Sequence, residues 1–381
     1  MVQLRIGARR LFRLARNGAM LQTWPDKARI ETRRRESAMT DQASLALPHF
    51  VADPVPPVRL PPGRTTGSIT GVAVTPDGHI WMLHIASNMA WGPAGQSDDP
   101  AARLGAVVEF DADGNYLQDW GGPDHLPRVD DLQQWPMQEE TIAFDDENTV
   151  WVFGADTSYD HAVQRFTRDG ELLLRIGRFG ETGGDASESL LGCPTDAWHD
   201  VARREVFITD GYVNHRVAVF NSDTGQFIRS FGAYGKVPDG QLPLADRFNN
   251  PVHAVSVGPD GLMYISDRKN DRLQVFDAVG KAEPVFIREM EFKYPSPFGT
   301  VFNLAFTPDG KFLAVNDGTN SRIWIVDLAA WQCLGHVMAP DGVLGDMLLT
   351  LHKFCTDAAG NLLLARTSRG VERMLYTPGK D

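Results

Sequence analysis

The chain has 381 residues, 43% of them hydrophobic and 23% charged, with a formal net charge of −12, a composition ordinary for a globular protein and ample for a large core. Residues 1–38 hold ten Arg and Lys against three Asp and Glu, so this segment carries +7 and the remainder −19. An acidic body disfavours nucleic acid and anionic membranes as partners and suits a cation or a small molecule.

The chain opens on MVQLRIGARRLFRLARNGAM, where Arg9, Arg10, Arg13 and Arg16 interrupt every apolar run. It lacks the uninterrupted apolar core of a secretory signal, and nothing later reaches the roughly 18 apolar residues of a membrane span. Residues 1–44 therefore read as a basic, disordered extension, with an amphipathic targeting segment as the other reading and Met39 as a candidate true start. Without a signal, a cytoplasmic location is expected. Cys193, Cys333 and Cys355 form an odd set without metal-type CxxC spacing, so they read as free buried thiols.

From residue 45 onward a phrase recurs: an apolar strand, a turn at PDG or its equivalent, a second apolar strand, a polar loop, then two more strands. GVAVTPDGHIWMLH with GAVVEFDADGNYLQDWG is the first unit and TIAFDDENTVWVFGAD with AVQRFTRDGELLLRIG the second. DAWHDVARREVFITDGYVNHRVAVFNSDTGQFIRSFG, AVSVGPDGLMYISDRKNDRLQVFDAVGKAEPVFIREM and NLAFTPDGKFLAVNDGTNSRIWIVDLAAWQCLGHV follow, and KFCTDAAGNLLLARTSRGVERMLYTPG is the last. The Gly- and Asp-bearing turns supply the positive φ that tight hairpins need. Four short strands in units of about 50 residues is the anatomy of propeller blades. Val72, Ile142, Ala197, Val255, Leu304 and Phe354 share one repeat position, at separations of 70, 55, 58, 49 and 50 residues. The long first interval holds SNMAWGPAGQSDDPAAR, a polar insertion expected as a surface loop. The sixth unit is one strand short. Residues 45–64, rich in Pro and thus suited to an edge, are expected to supply its outer strand and close the ring. The predicted architecture is all-β: one six-bladed β-propeller over residues 45–381.

In such a blade the start of the innermost strand and the end of the second strand share a face. The residue eight before the turn glycine opens each innermost strand: Thr70, Glu140, Thr195, His253, Phe302 and His352. Blades two, four and six thus present Glu140, His253 and His352 at threefold positions around the channel. Two His and one carboxylate is a ligand set suited to Zn²⁺, or to Fe²⁺ with open positions. Blade two lacks the turn glycine, so Glu139 takes the third place if the register slips by one. The second-strand ends add His84, Asp156, Tyr212, Arg268, Thr319 and Arg366. Tyr212 reads as a proton carrier and Arg268 as a bidentate carboxylate clamp. The recurring pairs Asp210 with Arg216, Asp267 with Arg272 and Asp317 with Arg322 read as blade scaffolding. Cys193 and His199 carry no elbow or oxyanion signature.

At these residues the chain resembles the NHL-repeat propellers and, within them, the peptidyl-α-hydroxyglycine α-amidating lyases (peptidylamidoglycolate lyases). The resemblance spans roughly residues 69–365. It is carried most clearly by CPTDAWHD with EVFITDGYVNHRVAVFNSDTGQFIRSFG, by NNPVHAVSVGPDGLMYISDRKNDRLQVF and by LHKFCTDAAGNLLLA. It implies a catalytic zinc on three histidines at the innermost strand starts. His253 and His352 match two of them, and the third position is Glu140. The family's tyrosine after Asp-Gly matches Tyr212, and its arginine after the blade-four aspartate matches Arg268. A further family arginine, after the histidine ending the second strand of blade one, is absent here, where Ile85 follows His84. The family's structural calcium takes an aspartate just after the last metal histidine. This chain has Lys353 there, whose ammonium stands in the cation's place. These departures point away from peptide amidation itself and towards another substrate on the same scaffold.

The expected function is a metal-dependent lyase or hydrolase of a small polar substrate, the metal (Zn²⁺, alternatively Fe²⁺) lying in the central channel. The alternative is a non-catalytic NHL propeller presenting one face to a protein partner or ligand. An Fe²⁺ oxygenase is a third reading of the same ligand set.

Overall fold

The computed structural model describes residues 48–86, 100–344 and 350–378. The expected extension over residues 1–44 and most of the blade-one insertion lie outside the described residues. Every strand in the described region belongs to one of six four-stranded antiparallel sheets. Blade one comprises Ile69–Val74, Ile80–His84, Val107–Phe110 and Tyr116–Trp120; blade two Glu139–Phe144, Val150–Gly154, Ala162–Phe166 and Leu172–Gly177. Blade three runs Pro194–Asp200, Glu205–Asp210, Arg216–Asn221 and Phe227–Phe231, and blade four Val252–Val257, Met263–Asp267, Arg272–Asp277 and Val285–Glu291. Blade five is Leu304–Phe306, Phe312–Asp317, Arg322–Asp327 and Gln332–Met338. Successive innermost strands pack against one another, and that of blade six returns to that of blade one.

Blade six closes the ring as its missing strand foretold. Leu351–Thr356, Leu362–Arg366 and Gly370–Thr377 are completed by His49–Ala52, which pairs antiparallel from His49 opposite Thr377 to Ala52 opposite Met374. Asp53 just beyond the strand accepts from Arg373 Nε at 2.7 Å. Joining the two ends of the ring in one sheet removes the exposed edges that an open array would present.

The alternation of each strand gives two apolar faces, and these meet between blades. Trp81 and Leu83 of blade one pack with Ile142, Val150 and Val152 of blade two. Ile69 and Val72 meet Leu363 and Ala365 across the seam of blades six and one. Phe50 of the closing strand joins Phe312, Ile323, Phe354 and Met374. The blade-two hairpin, which lacks a turn glycine, uses Asn148 at φ 60°; Asn enters this left-handed region more readily than other side chains. Its register is therefore that of the other blades.

Candidate metal centre

Each innermost strand except that of blade five carries a register shift near its start. In blade two, Glu139 pairs with Gly154 and Thr141 with Phe153, leaving Glu140 unpaired between them. His253 is skipped in the same way between Val252 and Ala254, and His352 between Leu351 and Lys353. Thr70 and Thr195 occupy the equivalent place in blades one and three. A bulge re-aims the extra side chain and bends the strand, and here it turns the same repeat position inward on alternate blades. Phe302 precedes its strand, which begins at Leu304.

The three expected ligands converge. Glu140, His253 and His352 each offer an atom within 4.8 Å of the others, and all three are buried at 0%, 3% and 1% exposure. Glu140 Oε1 lies 3.1 Å from His253 Nε2 and 3.2 Å from His352 Nε2. The other ring nitrogens are pinned by backbone: His253 Nδ1 is 2.6 Å from the Phe302 carbonyl and His352 Nδ1 is 2.6 Å from the Thr70 carbonyl. A carbonyl only accepts, so each Nδ1 carries a hydrogen, and in a neutral imidazole Nε2 then has only its lone pair. That lone pair faces a carboxylate oxygen, an arrangement that needs a shared cation, either a proton or a metal. Orientation of the ligand nitrogen by a hydrogen bond from the other ring nitrogen is the usual outer support of a metal-binding histidine.

The electrostatics agree. Burial, with help from the Arg268 charge, pushes His253 down to about 4, which keeps the ring neutral and able to ligate near neutral pH. Burial alone would raise the Glu140 carboxyl, but a positive charge shared with His352 and His253 outweighs it and holds the group well below the usual carboxylate range, again calling for a cation between the three groups. Glu140 Oε2 is buried without a hydrogen bond to any described residue. Donor atoms about 2.1 Å from a tetrahedral ion sit roughly 3.4 Å apart, close to the two separations observed. The buried Glu-His-His group fits a divalent metal.

Tyr212 and Arg268 join the same cluster. Tyr212 Oη donates to Glu140 Oε1 at 2.8 Å and accepts from Arg268 Nη1 at 3.2 Å. Burial and the Glu140 charge hold the phenol well above its ordinary range, so it keeps its proton. Arg268 Nε donates to the Phe298 carbonyl at 2.9 Å, and its guanidinium carbon stacks 3.9 Å over the Phe302 ring. Its Nη2 makes no hydrogen bond to a described residue.

Other expected positions fall elsewhere. Glu139 points into the blade interface, where Trp135 Nε1 donates to it at 2.8 Å, so Glu140 is the inward carboxylate. His84 accepts from the Gly67 N–H at 3.2 Å and is wholly buried; Arg366 binds the Pro340 carbonyl and Glu372, both at 3.0 Å. Asp156 accepts within its own turn from Ser158. The recurring arginines are scaffolding: Arg216 to Asp210 at 2.8 Å, Arg272 to Asp267 at 2.7 Å and Arg322 to Asp317 at 2.7 Å are buried pairs. Arg216 also ties down the Asp185, Ser187 and Leu190 carbonyls of the preceding loop. The cysteines are free; Cys193 is buried, whereas Cys333 and Cys355 are only partly so. Lys353 reaches Asp196 Oδ1 at 2.9 Å and the Ile142 carbonyl at 3.3 Å, an ammonium joining blades six, three and two. Sequence reasoning missed the Phe302 and Thr70 carbonyls, because a backbone acceptor leaves no mark in residue identity.

No family model matches the chain. Among curated proteins, it is similar to the peptidyl-glycine alpha-amidating monooxygenase of Mus musculus, 29% identical over 176 residues, which are 46% of this chain and 16% of that protein. It is also similar to NHL repeat-containing protein 3 of Mus musculus, 26% identical over 247 residues, 63% of this chain and 60% of that protein. The chain thus spans less than two thirds of either relative. A solved streptogramin B lyase structure aligns over 87% of this chain and 98% of its own, with a TM-score of 0.49 and 10% identity. No described helix is long and apolar enough to cross a membrane. Six closed four-stranded blades make the chain a six-bladed β-propeller, and its curated likenesses are to an NHL repeat-containing protein and to an amidating enzyme.

Proposed function

We propose that the chain is a divalent-metal-dependent lyase or hydrolase of a small polar substrate, with Glu140, His253 and His352 holding Zn²⁺ or, alternatively, Fe²⁺. The observation that carries this reading is the pair of pinned imidazoles whose Nε2 atoms face one buried carboxylate oxygen at 3.1 and 3.2 Å. Such an ion, when bound, polarises a substrate oxygen or lowers the pKa of a bound water. The protein's own residues do the rest. Tyr212, half-buried at the edge of the cluster, holds a proton at Oη and is placed to deliver it to a group bound beside Glu140. Arg268, fixed by Phe298, Tyr212 and the Phe302 ring, keeps Nη2 for a substrate carboxylate. Glu140, His253 and His352 are buried, which strengthens the interactions among them.

The test is turnover. Metal-loaded and chelator-treated protein are incubated with a panel of small carboxylates bearing a hydroxyl, ester or amide, and substrate loss is followed by NMR. Turnover that disappears with chelator, returns with metal and falls in Tyr212→Phe and Arg268→Ala supports the reading. Metal-independent turnover, or none across the panel, argues against it.

The second reading is a non-catalytic propeller that offers one face to a protein or small ligand. It is supported by the longer alignment with NHL repeat-containing protein 3, 63% of this chain against 46% for the amidating enzyme.

A further inference from the structure

Tyr212, Arg268 and His253 form one side of the centre, on blades three and four. His352 lies on blade six, and each of the two neighbouring blades, one and five, brings a threonine beside it. Thr70 and Thr319 are wholly buried, and neither hydroxyl has a hydrogen-bond partner among the described residues.

Both hydroxyls have a definite place in the repeat. Thr70 is the bulged residue of blade one, at the position that turns Glu140, His253 and His352 inward, and its own carbonyl takes the His352 Nδ1 hydrogen. Thr319 follows Asp317-Gly318 as Tyr212 follows Asp210-Gly211. Each of these glycines lies against the carbonyl preceding a centre histidine. A Cβ on Gly211 would meet the Val252 oxygen at 1.8 Å, and one on Gly318 the Leu351 oxygen at 2.5 Å. Thr319 therefore stands to His352 as Tyr212 stands to His253.

The contrast with blade three shows that a threonine at the bulge can be satisfied within the fold. Thr195 Oγ1 meets Thr209 Oγ1 at 2.7 Å and the Val252 carbonyl at 2.9 Å. In blade one the residue at the place of Thr209 is Leu83, which offers no such partner. Native proteins pair nearly all buried hydroxyls, because an unpaired one forfeits its hydration. Two such groups flanking one histidine mark a place filled from outside the fold. The cations nearby are engaged: Lys353 with Asp196 and Ile142, and Arg366 with Pro340 and Glu372. Hydroxyls without a cation suit a neutral partner better than an anion.

We propose that Thr70 and Thr319 form a hydroxyl subsite beside His352 that binds a neutral carbonyl, amide or hydroxyl of the substrate. The proposal rests on the metal-centre reading for its assignment to a substrate. With Arg268 on blade four, it defines the substrate class as a small carboxylate that also bears a neutral hydrogen-bonding group.

Calorimetric titration of the Co²⁺-loaded protein with 4-oxopentanoate and with pentanoate, which lacks the carbonyl, tests it. Wild type is expected to bind 4-oxopentanoate about tenfold more tightly. The double variant Thr70→Val with Thr319→Val should lose that preference while keeping cobalt uptake and pentanoate affinity. The Thr70→Ser with Thr319→Ser pair should keep it. Equal binding of both acids by wild type, as when only trapped water fills the subsite, overturns the proposal. So does a preference that survives the valine pair, since purely structural hydroxyls would change thermal stability and not ligand choice. If wild type takes up no cobalt, the metal reading falls separately, and the same two acids titrated on metal-free protein still decide the subsite.

Discussion

Lys353→Met tests the charge placed across the channel. Lys353 Nζ and Asp196 Oδ1 lie 2.9 Å apart, with side chains 12% and 10% exposed. At an effective dielectric of 20 two such charges attract by about 6 kcal/mol, most of it offset by the desolvation of both groups. The net worth of the pair is therefore small, but the cost of breaking it is not. Removing the ammonium leaves Asp196 buried; burial already raises this carboxyl, and Lys353 is what opposes that rise. Breaking a buried pair costs roughly 3–5 kcal/mol, so a loss of about 3 kcal/mol is expected for Lys353→Met and a fall in Tm on the order of 4 °C. Asp196→Asn in the Lys353→Met background should recover about 2 kcal/mol. Guanidinium unfolding of wild type, both single variants and the double variant measures the coupling. A Lys353→Met protein within about 0.5 kcal/mol of wild type, or additive single effects, would refute the reasoning.

Phe50→Asp places a charge in the core shared by blades five and six and should destabilise the ring by about 3 kcal/mol; unchanged thermal unfolding would mean the closing strand contributes little. Tyr212→Phe removes a hydrogen bond to Glu140 but no ligand, so metal affinity should stay within about tenfold of wild type, from the roughly 1.4 kcal/mol at stake; competition with a chromogenic chelator reads it. The pH dependence of metal binding follows from His253. Its pKa is lowered to about 4, so the ring is in its ligating, neutral form above that pH and is lost to protonation only as pH falls through it. Metal should remain bound at pH 5.5 and leave near pH 4, whereas release centred near pH 6.5 would show an unperturbed imidazole.

Much of this fold was written in local chemistry. Six strand pairs bounded by Gly- and Asp-bearing turns specify blades, and of the Pro-rich residues 45–64 only the proline-free His49–Ala52 forms the closing strand, with Pro48 and Pro54 outside its ends. The grouping of Glu140, His253 and His352 was legible because a fixed offset from the turn glycine holds wherever the hairpins share a register. Blade two obeys it since Asn148 takes the left-handed place of glycine. The bulge that turns Glu140 inward and Glu139 outward was not legible, because a one-residue shift in pairing leaves no compositional trace. The carbonyls of Phe302 and Thr70 were hidden for a related reason. So was Asp160, which accepts the Met137 and Gln138 N–H groups in blade two, where Gly192 N–H goes to Asp210 in blade three. It reaches that role from a different point in the chain.

The most direct test of the centre is metal content by mass spectrometry on wild type, His253→Ala and His352→Ala. The account predicts about one equivalent of zinc or iron per chain in wild type and its loss in both variants, with the fold retained. A wild-type protein that carries no stoichiometric metal and cannot be loaded with any would contradict it.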